Sequence, residues 1–150
     1  MAGGEAIRLW AVHHIGVISR TRSPRLGPLV TTGPFALVRN PLYLGNIALW
    51  VGFAVTANVL WMAPVIVALL GFEYHAIVRW EEQLLESRRG DEYRTYAARV
   101  RRWMPGPSQA ALADPPNGSW GATLFSERGT LIAIAVGFLL LWAKARLTSL

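Results

Sequence analysis

Thr31-Thr32-Gly33-Pro34-Phe35-Ala36-Leu37-Val38-Arg39-Asn40-Pro41-Leu42-Tyr43-Leu44-Gly45-Asn46-Ile47 is where a polar, basic segment turns into a long apolar one. Gly33-Pro34 is a turn signal. Pro41 suits the first turn of a helix, and the residue before a proline is pushed out of helical geometry, so Asn40 is expected to cap a helix that Pro41 opens. The orphan N–H groups of that turn, with Arg39 beside them, suit an anion such as a carboxylate or phosphate. The same residues also describe an ordinary membrane helix that begins with Asn-Pro and carries an interfacial Arg and Tyr.

Working outward, no side chain from Asn40 to Phe72 is charged, a run of 33 residues. As one helix it would reach roughly 50 Å, well past a bilayer core of about 30 Å. It must therefore fold back, and Asn58, Trp61 and Pro64 place the break between Ala57 and Pro64. The hydrophobic content of 53% and mean hydropathy of +0.31 are high for a soluble single domain of 150 residues. A net charge of +6 and a pI near 10.8 could suggest nucleic acid. The arginines, however, flank apolar spans instead of forming one basic stripe, so anionic lipid headgroups are the expected partner and nucleic acid is not. The absence of cysteine excludes disulfides, thiolate zinc sites and a cysteine nucleophile. Glu5, Arg8 and His13-His14 make the first residues unlike a cleavable signal.

Residues 2–19 read as a weak span, or as a helix packed against others. Adjacent His13 and His14 lie about 100° apart on a helix and His75 is distant, so no metal site is expected. Ser19 to Pro28 is a loop with Arg20, Arg22 and Arg25. Leu42–Leu60 and Trp61–Val78 are the strong spans. The second carries Glu73 and His75, which should face a cavity or a partner. This helix is expected to run on through Glu81, Glu82 and Glu86 and to end before Gly90. Asp91 then caps an amphipathic interfacial helix with Tyr93, Tyr96, Ala97, Val100 and Met104 opposite Arg94, Arg99, Arg101 and Arg102. Pro105 ends it, an irregular linker follows, and Gly129 to Leu147 forms a last apolar helix. The predicted fold is all-α: an integral membrane bundle of about four spans plus a cytoplasmic amphipathic helix. The chain divides into a core at 1–105, a linker at 106–128 and a C-terminal membrane helix at 129–150. Arginine bias puts the 20–39 and 79–104 segments on the cytoplasmic side.

These residues resemble a known family, the membrane methyltransferases that include isoprenylcysteine carboxyl methyltransferase and the phospholipid N-methyltransferases. The resemblance rests on Gly33-Pro34-Phe35, Val38-Arg39-Asn40-Pro41, Tyr43 and Gly45, then an apolar hairpin, then Glu81-Glu82, Leu85, Gly90-Asp91-Glu92-Tyr93, Tyr96, Val100 and Pro105. It implies S-adenosylmethionine held under the cytoplasmic face, with Arg39, Asn40, Pro41, Tyr43 and Gly45 on one side of the pocket and Glu81 and Glu82 on the other. It further implies methyl transfer to a carboxylate or amine on a lipid or lipid-linked acceptor, with Arg39 and Glu81 expected to contact that acceptor. The chemistry of the cofactor agrees: its carboxylate suits Arg39, its ribose and adenine suit carboxylate acceptors, and its sulfonium suits negative or π-rich walls. By pattern alone, Glu81-Glu82 would be a solvated helix end with Arg79 paired to Glu82. The chain differs from the family in having Asn40 where many members have His, and in lacking further N-terminal spans, whose wall the last helix or a second copy in a homo-oligomer would replace. Two other readings remain. A sterol-reductase-like NADPH enzyme shares Arg-x-Pro-x-Tyr-x-Gly but usually has an acidic residue where this chain has Asn46, and a non-catalytic membrane scaffold would keep the fold alone.

Overall fold

The computed structural model describes residues 1–16, 29–107, 116 and 118–147. The arginines at 20, 22 and 25 and part of the predicted linker lie outside the described residues. The described residues are helical, with no strand: α1 (Ala2–Ile15), α2 (Pro34–Leu37), α3 (Pro41–Thr56), α4 (Ala63–Arg89), α5 (Asp91–Arg99) and α6 (Trp120–Leu147).

The uncharged run does fold back where its polar and aromatic signals lie. α3 ends at Thr56, Asn58 adopts a left-handed φ of 58°, and a 3-10 turn over Leu60–Met62 leads into α4, with Pro64 in its first turn. Asparagine tolerates that conformation better than most residues, so it suits the hairpin. Tyr43 bonds Glu81 and Asn46 bonds Tyr74, which makes α3 and α4 antiparallel.

α1 packs antiparallel on α3 at close range. A Cβ added to Gly4 would lie 2.6 Å from the Leu49 nitrogen, and one added to Gly45 would lie 2.7 Å from Arg8 Cγ. Only glycine at both positions lets the backbones approach this far. α6 lies across α1, with Thr123 beside His13 and Glu127 bonded to Arg8. It therefore runs parallel to α3, and Lys144 and Arg146 end up away from the face where α3 begins.

The apolar surface points outward. Phe72 is 82% and Trp61 72% exposed, and Trp50, Leu69, Phe138, Leu139, Leu140 and Trp142 are exposed with them. A soluble monomer does not present that much apolar surface. Two helical stretches, Leu60–Arg89 and Trp120–Leu147, are long and apolar enough to cross a membrane. α1 and α3, with 14 and 16 residues, reach roughly 21 and 24 Å, short of a core of about 30 Å. Of the four expected spans, two are helices of full membrane length and two are shorter helices packed on each other.

Several expectations need correction. Glu73 and His75 are exposed, and it is Tyr74 between them that turns inward, because neighbouring positions on a helix point about 100° apart. α6 starts at Trp120, nine residues before Gly129, since Ser119 Oγ accepts from the Ala122 N–H and no proline follows Pro116 to interrupt it. α5 stops at Arg99: Val100 is extended, and the chain beyond it pairs elsewhere. Met104 is therefore not part of the amphipathic helix.

Candidate functional site

Val38 is extended, at φ −151° and ψ 142°, and the segment around it is clamped by the chain that follows α5. Arg39 N–H donates to the Arg101 carbonyl at 3.0 Å, and Gly106 N–H donates to the Leu37 carbonyl at 2.9 Å. Tyr96 adds a hydroxyl bond to the Phe35 carbonyl at 2.7 Å. These contacts bring the start of α3 against the outer end of α4 and against α5. Asn40 does occupy the N-cap position of α3, but its side chain makes no cap bond. Instead Nδ2 donates to the Arg102 carbonyl at 3.1 Å, so Asn40 fastens the clamp.

Glu81 and Glu82 face different neighbours, as adjacent helical positions must. Glu82 looks toward α5. Arg102 grips it with two nitrogens, Nη2 at 2.6 Å from Oε2 and Nε at 3.0 and 3.1 Å from the two oxygens. Arg39 approaches the same carboxylate at 3.4 Å and donates from Nη1 to the Tyr93 hydroxyl, also at 3.4 Å. Arg39, not Arg79, is thus the signature's partner for Glu82, with Arg102 as a second. The Nε of Arg39 is buried without a hydrogen-bond partner. A donor left in that state is costly, and a bound acceptor would relieve it. These residues line a cleft of about 580 Å³ with Arg79, Gln83, Glu86 and Arg94.

The electrostatics follow from this crowding. Burial pushes the Tyr93 phenol upward and Glu82 adds to the effect, while Arg39 and Arg102 oppose it. Burial likewise pushes Tyr96 well up. The bond to Glu82 raises Arg102. Both phenols therefore remain neutral, and Arg102 stays charged.

Glu81 looks instead into the seam between α3 and α4. The Tyr43 hydroxyl donates to its Oε1 at 3.0 Å, and the Tyr43 ring rests against Tyr74 with centroids 4.7 Å apart. Arg39, Tyr43, Glu81 and Glu82 are thereby brought to one end of the bundle, in two adjoining compartments. Pro41 is fully buried beneath them, and Gly45 faces α1. A second cavity of about 640 Å³ lies on the other side of α5, lined by Leu37, Glu92, Tyr96, Arg99 and Arg101 among others, and of the signature's polar side chains it contains Glu92 and Tyr96 but not Arg39, Tyr43, Glu81 or Glu82.

Sequence reasoning missed Arg102, Tyr74 and Arg8 as site neighbours. The sequence pattern puts Arg102 on the basic face of an amphipathic interfacial helix, and only the end of α5 at Arg99 turns it back onto Glu82. Tyr74 lay hidden between two more conspicuous ionisable neighbours.

Comparison with known proteins gives the family. The family model for phospholipid methyltransferase matches residues 1–91. The chain is 33% identical over 98 residues to the nickel-cobalt-cadmium resistance protein NccN of Alcaligenes xylosoxydans xylosoxydans, covering 65% of this chain and 43% of that protein. It is 30% identical over 98 residues to the cobalt-zinc-cadmium resistance protein CzcN of Cupriavidus metallidurans, covering 65% and 42%. An uncharacterized protein of Haemophilus influenzae is 41% identical over 63 residues, 42% of this chain and 79% of that protein. The chain thus spans less than half the length of the two resistance proteins it matches. No solved structure matches it.

Proposed function

This chain belongs to the phospholipid methyltransferase family, and from that premise we propose that it transfers a methyl group from S-adenosylmethionine to a carboxylate or amine on a lipid or lipid-linked acceptor. The active site faces the cytoplasm in this reading, because α5 and Arg39, Arg79, Arg94 and Arg102 cluster at one end of the bundle. The observation that carries it is the convergence of the two signature blocks, Arg39 against Glu82 at 3.4 Å beside Tyr43 on Glu81 at 3.0 Å.

The residues present fit the cofactor. The buried Nε of Arg39, which has no partner, is a ready donor for the amino-acid carboxylate. Glu82 and Glu81 supply acceptors for ribose and adenine, and the rings of Tyr43 and Tyr93 supply π-rich walls. When bound, S-adenosylmethionine supplies a methyl group on a sulfonium. The protein's own task is then to bring an acceptor atom in line with that methyl and to keep water out, work that needs positioning more than a strong base. Glu82 is held by Arg102, so accepting a ligand hydroxyl there means sharing or displacing that guanidinium. Arg39 can hold an acceptor carboxylate or phosphate, while Glu81, backed by Tyr43, can orient an amine and take its proton.

The named relatives are resistance proteins for nickel, cobalt, zinc and cadmium. Among the described residues no group of three His, Cys, Asp or Glu side chains could hold a metal ion. A role of this chain in such resistance would be exerted through methylated membrane lipid. Isothermal titration of the detergent-solubilised protein tests the reading. Binding of S-adenosylmethionine and S-adenosylhomocysteine but not NADPH is expected. NADPH binding would favour a reductase, and no binding of any of the three a scaffold.

A further inference from the structure

Below the site lies a buried ionic cluster that the methyl-transfer chemistry does not use. Arg8 on α1 is 8% exposed, and its Nη2 meets Glu127 Oε2 on α6 at 2.6 Å and Thr130 Oγ1 at 3.3 Å. Its Nε meets Glu5 Oε2 at 3.2 Å. The remaining guanidinium nitrogen, Nη1, donates to Asn46 Oδ1 on α3. A guanidinium only donates, so the amide oxygen of Asn46 must face it and the amide NH₂ must face the opposite way. There Nδ2 donates to the Tyr74 hydroxyl on α4 at 3.3 Å. Tyr74 packs on Tyr43 with centroids 4.7 Å apart, and Tyr43 donates to Glu81. One chain of contacts therefore runs from Glu127, outside the residues matched to the family, to the carboxylate at the site.

We propose that Arg8 and Asn46 are positioning residues: Arg8 locks the Asn46 amide in one orientation, which holds Tyr74 against Tyr43 and aims the Tyr43 hydroxyl at Glu81. In a low-dielectric seam such a lock is strong, because the flipped amide would point its N–H groups at a cation. The Asn46 amide does not itself carry a proton onward; it fixes the geometry. The effect on turnover rests on the methyltransferase reading, whereas the effect on tyrosine geometry does not.

The chain has four tyrosines, Tyr43, Tyr74, Tyr93 and Tyr96, all beside the site. Labelling the full-length protein with 3-fluorotyrosine gives four resonances, which Tyr43→Phe, Tyr74→Phe, Tyr93→Phe and Tyr96→Phe assign one by one. Asn46→Asp keeps an acceptor for Arg8 but removes the donor to Tyr74; Arg8→Met removes the lock itself. Both should move the Tyr43 and Tyr74 resonances and leave Tyr96 in place. With S-adenosylmethionine and a lipid acceptor, Asn46→Asp should lower kcat/KM by about tenfold or more, as misplacement of the groups that hold the reactants does. A Tyr43 resonance unmoved in Asn46→Asp overturns the proposal, and that variant decides alone if Arg8→Met does not fold. Shifted resonances in a protein whose wild type transfers no methyl would keep the positioning role and refute the methyltransferase reading instead.

Discussion

Glu82 illustrates how a single residue's role depends on which neighbours the fold delivers. On the helix alone it would pair weakly in solvent with Arg79, but the fold gives it Arg102 and Arg39 at one end of a cleft, with its side chain only 14% exposed. Replacing it with Gln should weaken S-adenosylmethionine binding by about 1–3 kcal/mol, the usual loss when a charged hydrogen-bond partner goes. Titration calorimetry reads this directly, and unchanged affinity would remove Glu82 from the pocket. Tyr96 belongs to the same scale. Its buried phenol has a folded pKa above its ordinary value near 10, so its proton is held more tightly in the folded protein than in the unfolded one. Its contribution is then fully present below about pH 10 and is lost as pH rises toward the folded value. Thermal midpoints in detergent should accordingly fall between pH 10 and 11.5, and fall less in Tyr96→Phe. That variant should also lose about 0.5–1.5 kcal/mol at neutral pH, with the bond to the Phe35 carbonyl.

Among the elements, the contact between α1 and α3 depends on the absence of two side chains. A Cβ at position 45 would lie 2.7 Å from Arg8 Cγ and 2.9 Å from the Gly4 carbonyl, so Gly45→Ala forces the helices apart or displaces Arg8. A loss of about 1–3 kcal/mol is expected, as in overpacked cores, measurable as a lowered thermal midpoint; a midpoint equal to wild type would mean that the two helices slide freely. The apolar hairpin, the long α4 ending before Gly90 and the two signature blocks could be read from sequence because each rests on local signals: an uncharged run, a proline in a first turn, a glycine at φ 52°. What could not be read depends on contacts distant in sequence. The end of α5 at Arg99 follows from the pairing of 101–106 with 37–40, and the inward turn of Tyr74 follows from the rotational setting of α4 against α3. The early start of α6 was legible in principle through Ser119, but the prolines and glycines just before it masked the signal.

For the whole molecule, two tests separate the bundle's topology from its cohesion. The chain has no cysteine, so single cysteines introduced at Asn58 and Arg101 should be labelled by an impermeant reagent from opposite sides of sealed vesicles. Labelling from one side would contradict a hairpin that crosses the membrane. Cohesion depends on how α6 is held, since its outer surface is largely exposed and its polar hold on α1 centres on Arg8 with Glu127. The Glu127 side chain has no exposed surface and that of Arg8 only 9%, so removing either partner leaves its counterpart charged in a place where solvation is poor. Arg8→Met, which takes the cation from two buried carboxylates, should cost about 3–5 kcal/mol, and Glu127→Met, which leaves Arg8 its bond to Glu5, should cost less. The double variant replaces the pair with apolar volume, and its loss should fall well below the sum of the two, with Glu5 as the carboxylate still to be accommodated. Denaturant titration of the four proteins of this cycle reads the coupling. Strictly additive losses would mean that α6 is held by its apolar contacts, such as Gly137 on Phe53, and that the ion pair contributes nothing to joining the C-terminal helix to the methyltransferase-like core.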